Sequence, residues 1–292
     1  MRKIKLLTDS ACDIPPEKEA ASNIRILSFP LTVDGKGYLE RIDVTTDEFY
    51  HMIENANEIP TTAQITQLRF EEAYNEIFDE GYTDIICVTI NSKGSATFAA
   101  ANMARDTWLA EHPGADKTIH VVDSRNYTIT YGYPLLEADK KITAGASLDE
   151  VLAYLDDWFS SVKIYYAPFT LKFAKKSGRI SATAAFVGEM IGLRPIMRSM
   201  DNEMVIADKV RGDKALAPRL IDFAMKEMVP QTPYMLVQGM DDEPAEALAK
   251  ELTKRLGYPP EGSFKIGAAV ASNAGPHLLG VVIKGENRGN SR

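Results

Sequence analysis

A strand-length apolar run that breaks directly into small hydroxyl residues restricts this chain more than any other feature. Asp84 to Ile90 (DIICVTI) has the length and β-branched content of a buried strand, and Asn91-Ser92-Lys93-Gly94-Ser95-Ala96-Thr97 follows it without a spacer. A helical pattern then runs from Gly94 to Leu109, with a first turn of small residues that permits close approach of a ligand or of backbone. Strand, hydroxyl loop and helix in that order predict an α/β sheet edge that offers side-chain hydroxyls and unpaired N–H groups. Such an edge accepts carboxylates or phosphates, because helix N-termini carry free donors and partial positive charge. An earlier loop, Pro60-Thr61-Thr62-Ala63-Gln64, stands before another helix and offers the same chemistry.

The rest of the chain repeats this grammar. Lys3 to Leu7 reads as a first strand ending in Thr8-Asp9-Ser10, and Thr118 to Val122 as a later one ending in Asp123-Ser124. Asp9, Ser10, Thr61, Gly94, Asp123 and Ser124 are therefore expected on one polar rim beyond the strand ends, where ligands of open α/β sheets bind. Asp13-Ile14-Pro15-Pro16 reads as a helix start, Ile24 to Val33 as one strand carrying Pro30, and Thr45 and Ser147 as openings of capping boxes. After Ser147 come a helix (Val151 to Phe159), a strand (Val162 to Ala167) and a short basic helix (Leu171 to Lys176). A small-residue apolar helix over 182–192, a hairpin turning at Asp201-Asn202, a strand over Lys265 to Val270 and a last strand from Leu278 follow. The reading is an α/β protein of two domains, 1–146 and 147–292.

Composition removes several function classes. A net charge of −8 argues against general nucleic-acid binding, although Lys172 to Arg219 holds ten basic residues against five acidic ones. That stretch predicts either a solvated basic face or a docking surface for an acidic partner or a phosphorylated ligand. Cys12 and Cys87 form no metal-type pair and suit a reducing cytoplasm, and the four histidines are scattered. No signal peptide and no apolar run of membrane-spanning length is read. The G-x-S-x-G elbow, the G-x-G-x-x-G fingerprint and the P-loop are all missing, so binding is favoured over turnover.

Taken in order, Thr8-Asp9-Ser10, Pro60 to Gln64, Asn91 to Thr97, Val122-Asp123-Ser124, Gly178-Arg179-Ile180, Arg194-Pro195-Ile196, Val210-Arg211 and Asn273-Ala274-Gly275-Pro276 resemble the motif set of the DegV family over essentially the full length. The resemblance implies two α/β domains with a long-chain fatty acid between them, no cofactor and no metal. It implies a non-catalytic subunit that presents the acid to a fatty acid kinase feeding phospholipid metabolism. The implied partners are the fatty acid, the kinase and, transiently, a membrane surface. Carried over, the carboxylate ligands are Thr62 and Ser92, with Ser95 and Asn273 as further candidates and Gly275 on the rim. The acyl tail would gain about 0.8 kcal/mol per buried CH₂, with the 182–192 helix as a tail wall. Arg179, Lys209 and Arg211 are the expected kinase-docking residues. Three positions depart from the family pattern: Ala63 replaces a serine, Ala96 a glycine and Asn273 a histidine. Two other readings stay open: an enzyme acting on a small carboxylic or phosphorylated compound in the same crevice, and a scaffold that has lost its ligand.

Overall fold

The computed structural model describes residues 2–178, 192–200 and 202–287. The expected helix over 182–192, save Gly192, and the docking residue Arg179 lie outside them. The chain divides into two compact units, residues 1–30 with 62–159 and residues 31–61 with 160–292. This differs from the division expected near residue 146 in two ways. Residues 31–61 leave the first half of the chain for the second unit, and the helix that begins after Ser147 packs into the first. That helix buries Val151, Leu155 and Trp158, and the Trp158 indole donates to Thr130 O at 2.9 Å.

Along the chain, β1 (Ile4–Asp9) leads through Ser10–Cys12 to α1 (Pro16–Ala20) and β2 (Ile24–Leu27). Asp13, expected as the cap of α1, instead turns the chain at φ 52°, and Pro15 takes the cap position. Next come β3 (Pro30–Val33), β4 (Lys36–Leu39), α2 (Thr46–Asn55) and β5 (Thr61–Thr62). The single strand expected over 24–33 is thus two, and Pro30, which has no N–H to give a ladder, begins the second. The Thr45 capping box forms as expected, with Thr45 and Glu48 satisfying each other's backbone N–H. Then follow α3 (Gln67–Asp79), β6 (Asp84–Thr89), α4 (Thr97–Glu111), β7 (Thr118–Asp123), α5 (Ile129–Thr143) and α6 (Leu148–Ser161).

In the first unit β2, β1, β6 and β7 form a wholly parallel sheet in that order, so all four strands deliver their C-terminal ends to one edge. Every residue of β1 and of β6 is buried, as a strand covered on both faces requires. The aromatic stripe of α3 (Phe70, Tyr74, Phe78) and the small face of α4 (Ala100, Ala101, Ala104) are core. At the opposite edge Asp84 is wholly buried and takes Arg2 Nη2 at 2.6 Å, Thr83 Oγ1 at 2.9 Å and Thr118 Oγ1 at 2.5 Å.

The second unit continues with β8 (Val162–Pro168), α7 (Lys172–Ser177), β9 (Leu193–Met200), β10 (Glu203–Arg211), α8 (Leu216–Glu227), β11 (Tyr234–Gln238), α9 (Asp242–Leu256), β12 (Ser263–Lys265), α10 (Ala268–Ala274) and β13 (Leu278–Lys284). Its six-stranded sheet runs β10-β9-β8-β13-β11-β12, antiparallel except for the last pair. The hairpin expected around Asn202 is β9–β10. The strand expected over 265–270 is corrected: it stops at Lys265, and the alanine-rich segment after Gly267 becomes α10, alanine being the strongest helix former. Residues 31–61 are anchored in this unit by Tyr50, whose hydroxyl donates to Ile266 O at 2.6 Å, and by buried Glu40, which accepts from Ala269 N at 2.9 Å.

Candidate functional site

The parallel edge of the first unit is built by two loops that leave adjacent strands. After β6, Asn91 is wholly buried and organises the turn: its Oδ1 accepts from Lys93 N at 2.8 Å, and its carbonyl accepts from Gly94 N and Ser95 N. Residues 94–96, expected as the first turn of the helix, therefore belong to a turn, and α4 starts at Thr97. A Cβ at Gly94 would run into the Tyr127 hydroxyl, so a larger residue here needs the Tyr127 ring to move. After β7, Asp123 Oδ1 accepts from Ser92 N at 3.1 Å and from Arg125 N at 2.8 Å. Arg125 and Thr128 both hold positive φ, 55° and 54°, an uncommon conformation for residues with a Cβ. Asn91 N reaches Asn126 O at 3.0 Å, and Asn91 Nδ2 reaches Arg125 O at 3.3 Å, so the two loops are one stitched body.

The loop carrying Thr62 joins them. Ile65 N donates to Thr97 Oγ1 at 3.3 Å, and Ala63 N to Pro30 O at 3.1 Å. Ser95 Oγ lies 2.9 Å from Thr97 Oγ1 and accepts from Thr97 N at 3.3 Å, a local turn just before α4, whose N-cap position is held by Ala96. Thr62 and Ser92 are different. Both are half-buried, and neither hydroxyl has a hydrogen-bond partner among the described residues. The two free hydroxyls thus belong to two loops that meet at Thr97, the first residue of α4, whose leading amides have no intrahelical acceptor. This arrangement can donate to an anion; it contains no paired acid and base.

Other expected rim residues are structural. Asp9 is wholly buried, accepting Ile90 N at 2.7 Å on Oδ2 and the Tyr131 hydroxyl at 2.5 Å on Oδ1. Burial, together with the Asp9 charge beside it, holds the Tyr131 hydroxyl well above its ordinary pKa, so it stays a donor. Ser10 is buried with its Oγ accepting from Phe29 N at 2.9 Å, and Ser124 is buried in a turn with Asn126. Thr61 is exposed on β5. Sequence reasoning missed Asn91 and Tyr127; the Asn at a strand end was the signal for the first, and nothing in the sequence marks the second.

In the second unit Asn273 lies in the last turn of α10, and its amide donates back to Ala269 O at 2.9 Å. The C-terminal end of a helix carries partial negative charge, an unfavourable setting for a carboxylate. Gly275 follows at φ 90° and ψ 160°, a glycine conformation, with the Phe173 ring where a Cβ would go. Lys209 and Arg211 are exposed on β10, at the edge of the sheet, and have no ion pair among the described residues. Arg194 and Arg219 of the same basic stretch are paired with Asp213 and Asp208, each at 2.5 Å. Among the described residues no cluster of His, Cys, Asp or Glu could hold a metal ion, and no helix is long and apolar enough to cross a membrane.

A parallel unit with a hydroxyl-bearing strand edge and a second unit on a mixed six-stranded sheet define a two-unit α/β protein. The model of the DegV family of uncharacterised proteins matches residues 3–286, and the chain belongs to that family. A DegV domain-containing protein of Clostridium acetobutylicum is 31% identical over 285 residues, covering 96% of this chain and 98% of the relative. Among solved structures, a fatty-acid-binding DegV family protein from Thermus thermophilus is 26% identical with a TM-score of 0.84, over 98% of this chain and 100% of its own. A DegV lipid-binding protein from Thermotoga maritima is 25% identical with a TM-score of 0.82, over 98% and 99%. A stearic-acid-binding protein from Eubacterium ventriosum, at 23% identity, shares the fold with a TM-score of 0.86 over 97% of this chain and 98% of its own.

Proposed function

We propose that this protein binds a long-chain fatty acid without a cofactor and presents it to a partner kinase for acyl phosphate formation. The observation that carries the binding reading is the pair of half-buried, unengaged hydroxyls, Thr62 and Ser92, on the two loops that meet at the start of α4. A carboxylate accepts from both, and the amides of the helix start reinforce the same charge. Ser95 supports the pair through its hydrogen bonds to Thr97, and Asn273, turned onto its own helix, is left out of the head-group set. The fatty-acid-binding relative from Thermus thermophilus supports the ligand class. Lys209 and Arg211 support the docking role: they alternate along an edge strand, so they share a face, and their charges are not spent on ion pairs among the described residues.

The experiment is native mass spectrometry of the purified protein with extraction of any bound acid, followed by titration with oleate. A stoichiometric fatty acid is expected. The chain carrying both Thr62→Ala and Ser92→Ala should stay folded and lose about a hundredfold or more in oleate affinity, since each hydrogen bond to a charged group is worth about 1.5–3 kcal/mol. Native affinity in the folded double variant would remove this head-group site, and a protein that carries no acid and refuses oleate would remove the reading.

A further inference from the structure

Most ties between the two rim loops run from one main chain to the other or end on a main-chain carbonyl. Ser124 N donates to Thr89 O at 3.1 Å and Asn91 N to Asn126 O at 3.0 Å, and the Asn91 amide donates to Arg125 O. The carboxylate of Asp123 is the exception that bears on function, because one of its two recipients is Ser92. Asp123 Oδ1 holds Ser92 N at 3.1 Å while it also holds Arg125 N at 2.8 Å, and Arg125 is the residue forced to φ 55°. One oxygen therefore fixes the Ser92 peptide to the turn after β7. The direction of the Ser92 Cβ, and with it the reach of its free hydroxyl, is set before any ligand arrives. Without that tie the hydroxyl would have to be ordered on binding, which lowers affinity.

We propose that Asp123 is a positioning residue for the head-group site: it acts through Ser92, by the placement of an acceptor oxygen and not by its charge. The inference rests on the fatty-acid reading above. It assigns no favourable role to the carboxylate charge, since a negative group next to Ser92 opposes a second carboxylate there. What the site needs from residue 123 is an oxygen at that distance, and an amide supplies it as well as a carboxylate does.

Three substitutions separate placement from charge, read by oleate titration with thermal melting as the check on folding. Asp123→Asn keeps the oxygen and is expected to bind oleate at least as tightly as the native chain. Asp123→Glu keeps the charge, displaces the oxygen by one methylene and is expected to bind about tenfold more weakly, as is Asp123→Ala. In a Ser92→Ala background Asp123→Ala should cost nothing further, because the hydroxyl it positions is gone. Should Asp123→Ala fail to fold, the Asn and Glu pair decides alone. Weak binding by Asn with native binding by Glu overturns the inference, as does equal binding by all variants or full additivity with Ser92→Ala. If the native chain does not bind oleate at all, the fatty-acid reading falls and the inference with it. If it binds and only the Asp123 series fails, the inference alone is lost.

Discussion

Ser92 and Ser95 share one loop, but their hydroxyls face different work. Ser95 Oγ is committed to Thr97, as acceptor from its N–H and partner of its hydroxyl, whereas Ser92 Oγ has no partner among the described residues. Ser95→Ala should therefore lower stability by about 1 kcal/mol, the usual net worth of an intramolecular hydrogen bond, and change oleate affinity by less than about threefold. Chemical denaturation beside oleate titration checks both halves; a large affinity loss with no stability loss would place Ser95 on the ligand instead. The residue scale is also where the sequence was least informative. Asp9-Ser10 and Asp123-Ser124 are the same dipeptide at the ends of parallel strands, and the sequence reading put all four on one rim. Asp9, Ser10 and Ser124 are buried, and only Asp123 is half-exposed. A strand-end motif tells how far along the sheet a side chain lies, but depth depends on what packs over it, here α5 with Tyr131 against Asp9.

At the scale of elements, the sheet of the first unit is held at its other edge by one carboxylate. Burial alone would raise the pKa of Asp84, but hydrogen bonds from Arg2, Thr118 and Thr83 outweigh it and hold Asp84 below its ordinary 3.8. A folded-state value below the unfolded one adds stability at all pH values above the unfolded pKa. That contribution is lost as pH falls below about 3.8 and through the lower folded value. Asp84→Asn should cost about 1–3 kcal/mol at neutral pH, a discounted figure because Arg2 is partly exposed. Its unfolding midpoint should also depend less steeply on pH as the pH falls through about 3.8 and below. Parallel acid titrations of both proteins in urea measure this; equal slopes would deny Asp84 the role. The strands meeting here were legible, because DIICVTI has strand length and β-branched content and ends abruptly. The segments 24–33 and 265–274 were not, since apolar alternation hides both a proline-started second strand and a helix made of alanine and small polar residues.

At the scale of the whole molecule, chain order and unit membership part company. The capping box at Ser147 was read as the opening of the second domain, and the box is real: Ser147 N reaches Glu150 Oε2 at 2.8 Å. A cap starts a helix without saying which core the helix will join, and α6 joins the first, placing Val151, Leu155 and Trp158 in it. Residues 31–61 make the complementary excursion, and no composition shift marks their departure. Yet the excursion begins and ends at one place, because Ala63 N donates to Pro30 O at 3.1 Å. Joining residue 30 to residue 62 through two glycines therefore spans a gap that the hydrogen bond already closes, and it removes only residues that belong to the other unit. Residues 1–30 so joined to 62–159 should fold alone, with a cooperative thermal transition and dispersed amide resonances. Residues 1–146 should not, for that chain keeps the 31–61 excursion without Ile266 and Ala269 to receive Tyr50 and Glu40, and it lacks α6. If the 1–146 chain melts cooperatively and the spliced chain does not, the first unit draws its stability from a different set of residues than its hydrogen bonds and buried side chains imply.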